Sequence, residues 1–263
     1  MRLVLSRVES QDFDQITPMM FESFGDVDLA TVFFGRKSPA AIAYAKRTLM
    51  HSWQNDPTDV FLKVEDLDHE VDVDVLDENG NSTGKERRKK IVCASNWKIF
   101  PTYVAPKEEA VATTTAGDAG AAETNGEASV KSEKQKPDFS YLETEQERID
   151  AQTLLEDFQA RRRRACTEGH VLCFLLFTDL DYQGKGAGRM MMQWGNDVAD
   201  AMMLPCWIEA SPAGERLYVQ MGYKGKERVK IQTRSFLSEY NHMRRPAQVE
   251  RVRLEGRTLV REP

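Results

Sequence analysis

The chain has 263 residues, 41% of them apolar, with 36 Lys and Arg against 42 Asp and Glu and a formal net charge of −6. It is too apolar to be wholly disordered, and its longest apolar run, Val171 to Phe177, is far short of the ~20 residues of a spanning helix, so no membrane role is expected. The acidic balance argues against nonspecific nucleic-acid binding, which needs a basic face.

The N-terminus turns charged at Arg2 and Arg7, unlike a secretory leader. Leu3 to Val8 reads as a strand, followed by a helix in which Phe13, Ile16, Met20 and Phe24 recur at helical spacing. Pro39 opens a second helix carrying Ile42, Leu49 and Trp53. Val60 to Val64 and Ile91 to Phe100 are β-rich runs. The charged stretch between them, residues 65–90, contains the turn signal Asn79-Gly80, so a β-hairpin with an extended, solvated tip is expected.

Residues 106–137 contain no aromatic residue and no Leu, Ile or Met. Such a segment buries too little apolar surface to offset its ordering entropy, and it is expected to be disordered. Glu143 to Arg164 then reads as one polar helix with Ile149, Leu154, Leu155 and Phe158 as its apolar stripe. It ends in Arg161-Arg162-Arg163-Arg164, either an anion patch or cations complementing a helix C-terminus. The four cysteines, Cys93, Cys166, Cys173 and Cys206, form no CxxC pair. They fit reduced, buried thiols of a cytoplasmic protein better than disulfides or a zinc site, and no metal is expected. His51, His69, His170 and His242 form no ligand or triad pattern.

The informative region is Val171 to Tyr223. A continuous apolar strand leads into Gln183-Gly184-Lys185-Gly186-Ala187-Gly188-Arg189, and a helix follows with Met190, Trp194, Val198 and Met202 as an i, i+4 row. Strand, glycine loop and helix make an anion-binding arrangement, because glycines admit close backbone approach and the first helical turn has unpaired N–H groups. The dinucleotide fingerprint fails where Arg189 stands in place of glycine. A Walker loop fails at Asp179 and for want of Ser or Thr after Lys185.

The loop does match Q/R-x-x-G-x-G/A through Gln183, Gly186 and Gly188. It resembles the coenzyme A pyrophosphate loop of the GCN5-related N-acetyltransferase (GNAT) superfamily. The flanks extend the likeness: a strand Cys206 to Ser211, a short helix Gly214 to Met221 containing Leu217-Tyr218, and then Gly222-Tyr223. With Glu-Ala-Ser-Pro-Ala-Gly after the loop helix, the chain looks most like fungal members. The resemblance implies an α/β GNAT (acyl-CoA N-acyltransferase) fold, a mixed central sheet with a splayed coenzyme-binding strand pair flanked by helices. Residues 1–263 would form one domain, interrupted by the charged hairpin 65–90 and the insertion 106–137.

It further implies an N-acetyltransferase moving the acetyl group of acetyl-CoA, a co-substrate, to a small-molecule or peptide primary amine by direct attack in a ternary complex. Leu176, Phe177 and Thr178 would meet the pantetheine arm, with an N–H near Phe177 or Thr178 on the thioester carbonyl. Gln183, Gly184, Lys185, Gly186, Ala187, Gly188 and Arg189 would hold the pyrophosphate. Tyr218 takes the place of the proton donor to the departing thiolate, or else packs its ring beside Leu217 and Met221. For the base the candidates are Glu209 first, its carboxyl raised by burial, then Asp179, or an ordered water. Glu209 reads equally as a structural hydrogen-bonding residue. Phe24, Phe33, Phe34 and Trp97 are candidates for the acceptor pocket. A non-catalytic CoA-binding module and an acyltransferase for a longer acyl chain are the alternatives. The protein is expected as a monomer or homodimer.

Overall fold

A computed structural model describes residues 1–25, 27–102, 139–248, 252–255 and 258–261. Its centre is a seven-stranded sheet in the order β1-β2-β3-β4-β5-β7-β6. The strands are β1 (Leu3–Arg7), β2 (Asp59–Leu76), β3 (Ser82–Phe100), β4 (His170–Thr178), β5 (Cys206–Ala210), β6 (Lys224–Gln232) and β7 (Leu237–Arg245). Every adjacent pair is antiparallel except β4 and β5. A separate two-stranded ladder joins β8 (Val252–Glu255) to β9 (Thr258–Arg261). The insertion 106–137 lies outside the described residues.

Among the described residues six α-helices accompany the sheet: α1 (Phe13–Phe24), α2 (Asp28–Phe34), α3 (Pro39–Asn55), α4 (Glu145–Ala165), α5 (Ala187–Ala201) and α6 (Glu215–Gln220). Their starts are written locally. Ser38 caps α3 by accepting from the Ala41 N–H, with Pro39 in the first turn, and Thr144 and Glu147 close a capping box on α4. The first helix and α3 pack Phe13, Ile16, Met20 and Leu49 against Phe61, Ile91 and Phe177 of the sheet. On the other face, α5 packs Met191, Met192 and Ala199 against Val64, Trp97, Val171 and Cys173. The alternation of β-strand side chains explains the division: Phe61 faces one layer and Leu62 the other.

Several expectations need correction. The short helix α2 was not foreseen. Ile149 is exposed, while Ala151, Leu154, Leu155 and Phe158 form the buried stripe of α4. The buried face of α5 is shifted from the expected row: Met191, Met192, Gly195, Asn196 and Ala199 are buried, whereas Met202 is exposed. The reason is Trp97, whose ring lies where a side chain at position 195 would stand; a Cβ built on Gly195 would be 2.1 Å from it. Trp97 is thereby a core residue, donating to Ser95 Oγ at 3.0 Å, and is not part of an acceptor pocket.

The expected hairpin forms and most of its tip is exposed, but it also rests on α3. Its outer ladder runs Glu70↔Lys89 to Leu76↔Ser82. Arg47 of α3 donates to the Glu78 carbonyl at 2.6 Å, and Lys46 bonds both Asp14 at 2.6 Å and the Leu76 carbonyl at 2.8 Å. The tip is docked on α3. Residues Leu67 to His69 form an excursion of β2 that has no partner in β3. Among the described residues no helix is long and apolar enough to cross a membrane.

Candidate active site

The sheet opens where β4 and β5 part. They share only three rungs, Val171↔Cys206 to Cys173↔Ile208, after which β4 continues alone to Thr178. The register with β3 slips at Phe174, an extra residue between Cys173 and Leu175, and such a bulge bends the strand. Asp179 donates its N–H to the Val92 carbonyl. Antiparallel alternation then turns the main-chain groups of Phe177 toward β3 and those of Leu176 and Thr178 toward the gap. The Thr178 carbonyl indeed accepts from Ser23 Oγ at 3.0 Å on that side. Of the two residues named for that N–H, Phe177 thus turns its own toward β3, while Leu176 and Thr178 turn theirs to the gap.

A groove of about 650 Å³ follows this open edge. Leu176, Phe177 and Thr178 form one wall. Gln183, Gly184 and Gly186 line it at the loop, and Ala187, Gly188 and Arg189 in the first turn of α5. Gly184 and Gly186 hold φ of +72° and +98°, a region that strains other residues, and a Cβ on either would meet nothing within 4 Å. The loop therefore presents bare backbone to open space. No side chain caps α5, so the N–H groups of its first turn remain available, with the positive end of the helix dipole behind them. Arg189, and Arg216 of α6 on the opposite wall, form no ion pair among the described residues. Backbone donors, dipole and two unpaired cations suit a polyphosphate anion.

Lys185 stands apart: it does not line the groove, and its Nζ lies 4.9 Å from the centre of the Tyr182 ring. Tyr182 is a residue that sequence reasoning missed. Its hydroxyl donates to Asp66 at 2.9 Å and sits 3.0 Å from His69 Nδ1, and burial pushes its pKa up to about 12. The β2 excursion thus anchors the glycine loop from below. No local signal marks this contact, because its partners are more than a hundred residues apart.

A second, smaller cavity of about 100 Å³ adjoins the groove, and the two share Phe24, Val27, Leu176, Ser211 and Tyr218. Phe24, Phe33 and Phe34, three of the candidates named for an acceptor pocket, line it. Tyr218 stands at the junction, and burial pushes its hydroxyl well above a phenol's usual range, so it is a neutral donor.

The two base candidates fare differently from expectation. Both Glu209 oxygens accept from Arg162, Oε1 from Nε and Oε2 from Nη2, each at 2.8 Å, and only 6% of the Glu209 side chain is exposed. Burial pushes the carboxyl up, but the Arg162 charge and hydrogen bonds more than offset it, so its pKa is lowered and not raised. Asp179 lines neither cavity; it accepts from the Asp181 N–H and pairs with Lys90 at 3.0 Å. Arg162 also stacks over Phe158 at 4.6 Å and Phe174 at 5.4 Å. The four-arginine run therefore divides: Arg161 pairs with Asp157 and Glu227, and Arg162 is drawn inward. All four cysteines are buried free thiols, and burial pushes Cys93 and Cys166 up to about 12 and Cys206 to about 11.

No protein-family model and no curated protein matches the chain. Solved structures do. The chain is similar to arylalkylamine N-acetyltransferase 2 from Aedes aegypti, with a TM-score of 0.54 and 10% identity over 94% of this chain and 100% of that one. It is similar to a mosquito arylalkylamine N-acetyltransferase like 5b, with a TM-score of 0.52 and 13% identity over 93% and 100%. A third is the histone acetyltransferase HPA2 and related acetyltransferase from Corynebacterium glutamicum, with a TM-score of 0.50 and 14% identity over 94% and 98%. At such identities the likeness establishes the fold alone.

Proposed function

From the GCN5-related N-acetyltransferase fold that this chain carries, we propose that the protein is an acyl-CoA-dependent N-acyltransferase, passing the acetyl group of acetyl-CoA to a primary amine in a ternary complex. The observation that carries this reading is the continuity of the site: an anion-binding helix start, an open β edge and a buried cavity meet at Leu176, Ser211 and Tyr218. The first-turn N–H groups of α5, with Arg189 and Arg216, hold the pyrophosphate. The main-chain groups of Leu176 and the N–H of Thr178 bond the pantetheine arm as an added strand would, and one of the two N–H groups faces the thioester carbonyl.

The amine enters from the smaller cavity. After its ammonium has given a proton to water or a nearby carboxylate, the nitrogen attacks the thioester carbon, forming the C–N bond. The C–S bond then breaks, the nitrogen gives its second proton to water, and the coenzyme leaves as the thiolate. Tyr218 donates a hydrogen bond to that sulfur as charge develops on it. Glu209 is committed to Arg162 and Asp179 lines neither cavity, so an ordered water is the favoured base.

The test is coenzyme A thiol release with a panel of primary amines, followed by mass spectrometry of the product. An amide product 42 Da heavier than one amine is expected (an acetyl replacing a hydrogen). Tight acetyl-CoA binding without release across the panel would favour the non-catalytic module.

A further inference from the structure

We infer that the acceptor is a primary amine carrying one compact, apolar, ring-sized substituent, and that Glu239 receives its ammonium group. This rests on the acyltransferase reading above and names the acceptor's chemistry.

The smaller cavity is walled by rings set edge to face. Phe33 meets Phe158 at 5.5 Å and 76°, and Phe174 at 6.2 Å and 82°; Phe158 meets Tyr240 at 5.3 Å and 66°. A box of rings in this arrangement offers both faces and edges to a further ring. Its volume of about 100 Å³ is of the order of the ~150 Å³ apolar cavity that takes up benzene. Most of its lining is apolar, which disfavours a hydrated sugar.

Charge narrows the class further. Arg162 and Glu209 neutralise each other through two hydrogen bonds, so neither is spare for the carboxylate of an amino acid or a second ammonium of a polyamine. One other charged residue lines the cavity, Glu239. The last rung of β5 is Ala210↔Asn241, so Glu239 lies two residues beyond it along β7, level with the place where β5 has left the sheet. Its partner Lys230 is 3.6 Å away, and their side chains are 36% and 65% exposed. An exposed pair at that distance holds its members weakly. Glu239 is therefore free to turn to a cation arriving at the open end of the cavity, with the ring of that cation's substituent held inside.

The experiment compares 2-phenylethylamine, spermidine, glucosamine and alanine as acceptors with acetyl-CoA, using wild type, Glu239→Gln and Glu239→Asp. The expected result is a kcat/KM for 2-phenylethylamine at least ten-fold above each of the others. Glu239→Gln should raise its KM about three-fold, the scale of an exposed ion pair, and leave the acetyl-CoA Kd within two-fold, and Glu239→Asp should recover part of the loss. Preference for spermidine, glucosamine or alanine would overturn the inference and leave the acyltransferase reading standing. An unchanged KM in Glu239→Gln would overturn the role of Glu239. Calorimetric binding of 2-phenylethylamine to protein saturated with coenzyme A, with no thiol release from acetyl-CoA, would uphold the pocket and overturn the acyltransferase reading. Neither binding nor release would overturn the inference.

Discussion

Tyr218 and Glu209, two neighbours of one site, are both pushed up by burial and yet end shifted in opposite directions. For Tyr218 nothing opposes it, and the hydroxyl is pushed far above its ordinary range. It therefore stays a donor throughout the pH range in which the protein is folded, and kcat should show no loss assignable to this phenol below pH 10. Tyr218→Phe removes the donor and keeps the ring. Steady-state kinetics should give a kcat lower by ten-fold or more, on the usual ~10²–10⁴ scale of general acid catalysis, with KM for acetyl-CoA little changed. An unchanged kcat would remove Tyr218 from the chemistry. For Glu209, Arg162 outweighs burial and holds the carboxyl below its usual range. A carboxylate with a depressed folded-state pKa contributes stability that is fully present above the unfolded value of ~4.3 and is lost as pH falls through the folded one. Arg162→Met leaves the carboxylate buried without its partner, which should cost about 3–5 kcal/mol at pH 7. The unpaired carboxyl then takes a raised pKa, so the deficit should shrink as the pH falls from 7 to 5. Urea unfolding at the two pH values measures both, and an equal deficit at each would contradict the pairing.

The glycine loop and its helix were the most legible element, because every cue lies within about twenty residues of chain: an apolar strand, glycines at fixed steps, then a 3.6-residue period. What could not be read was the phase of α5. By hydrophobicity Trp194 outranks Gly195, but packing places the glycine at the contact, since only a bare Cα lets the Trp97 ring come so near. Small residues at a helix contact leave no apolar signature in the sequence. The docking of the hairpin was hidden for a similar reason: Lys46, Arg47 and Asp14 look like surface charges until α1, α3 and the hairpin are brought together. Gly195 gives a test in which two principles disagree in sign. Helix propensity says that Gly195→Ala stabilises by up to ~1 kcal/mol. The built Cβ stands 2.1 Å from Trp97, and overpacking of this kind typically costs ~1–3 kcal/mol. Thermal unfolding should therefore show a lower Tm for Gly195→Ala, and the deficit should shrink in a Trp97→Leu background, where the ring is gone. A Tm that rises in the wild-type background would refute the contact.

Across the whole molecule the acidic excess proves to be local. Residues 65–90 carry nine acids and five bases and residues 106–137 six and four, which together account for the net −6. In the hairpin much of this charge is paired across the ladder, Glu70 with Lys89 at 2.7 Å and Asp72 with Arg87 at 3.1 Å. The groove, by contrast, keeps Arg189 and Arg216 unpaired among the described residues. The glycine loop of the groove was legible because it is a local motif; the smaller cavity was not, since Arg162, Glu209 and Glu239 come from separate elements and only the sheet's splay brings them together. The second insertion is where composition makes its plainest demand. Phe100 pairs with His170, so β3 and β4 are neighbours, and Phe139 already packs with Leu154 and Phe236 beside α4. Residues 106–137 offer no Leu, Ile, Met or aromatic side chain to that core. Replacing them with eight Gly and Ser residues shortens the connection roughly three-fold, and with loop closure changing by ~0.6 kcal/mol per doubling, the shorter chain should be more stable by about 1 kcal/mol. Urea unfolding should thus give an equal or slightly higher stability, and calorimetry an acetyl-CoA affinity within two-fold of the full chain. A loss of more than about 2 kcal/mol, beyond what a passive loop can account for, would mean that the segment packs on the sheet. A lost affinity at unchanged stability would instead place it at the groove.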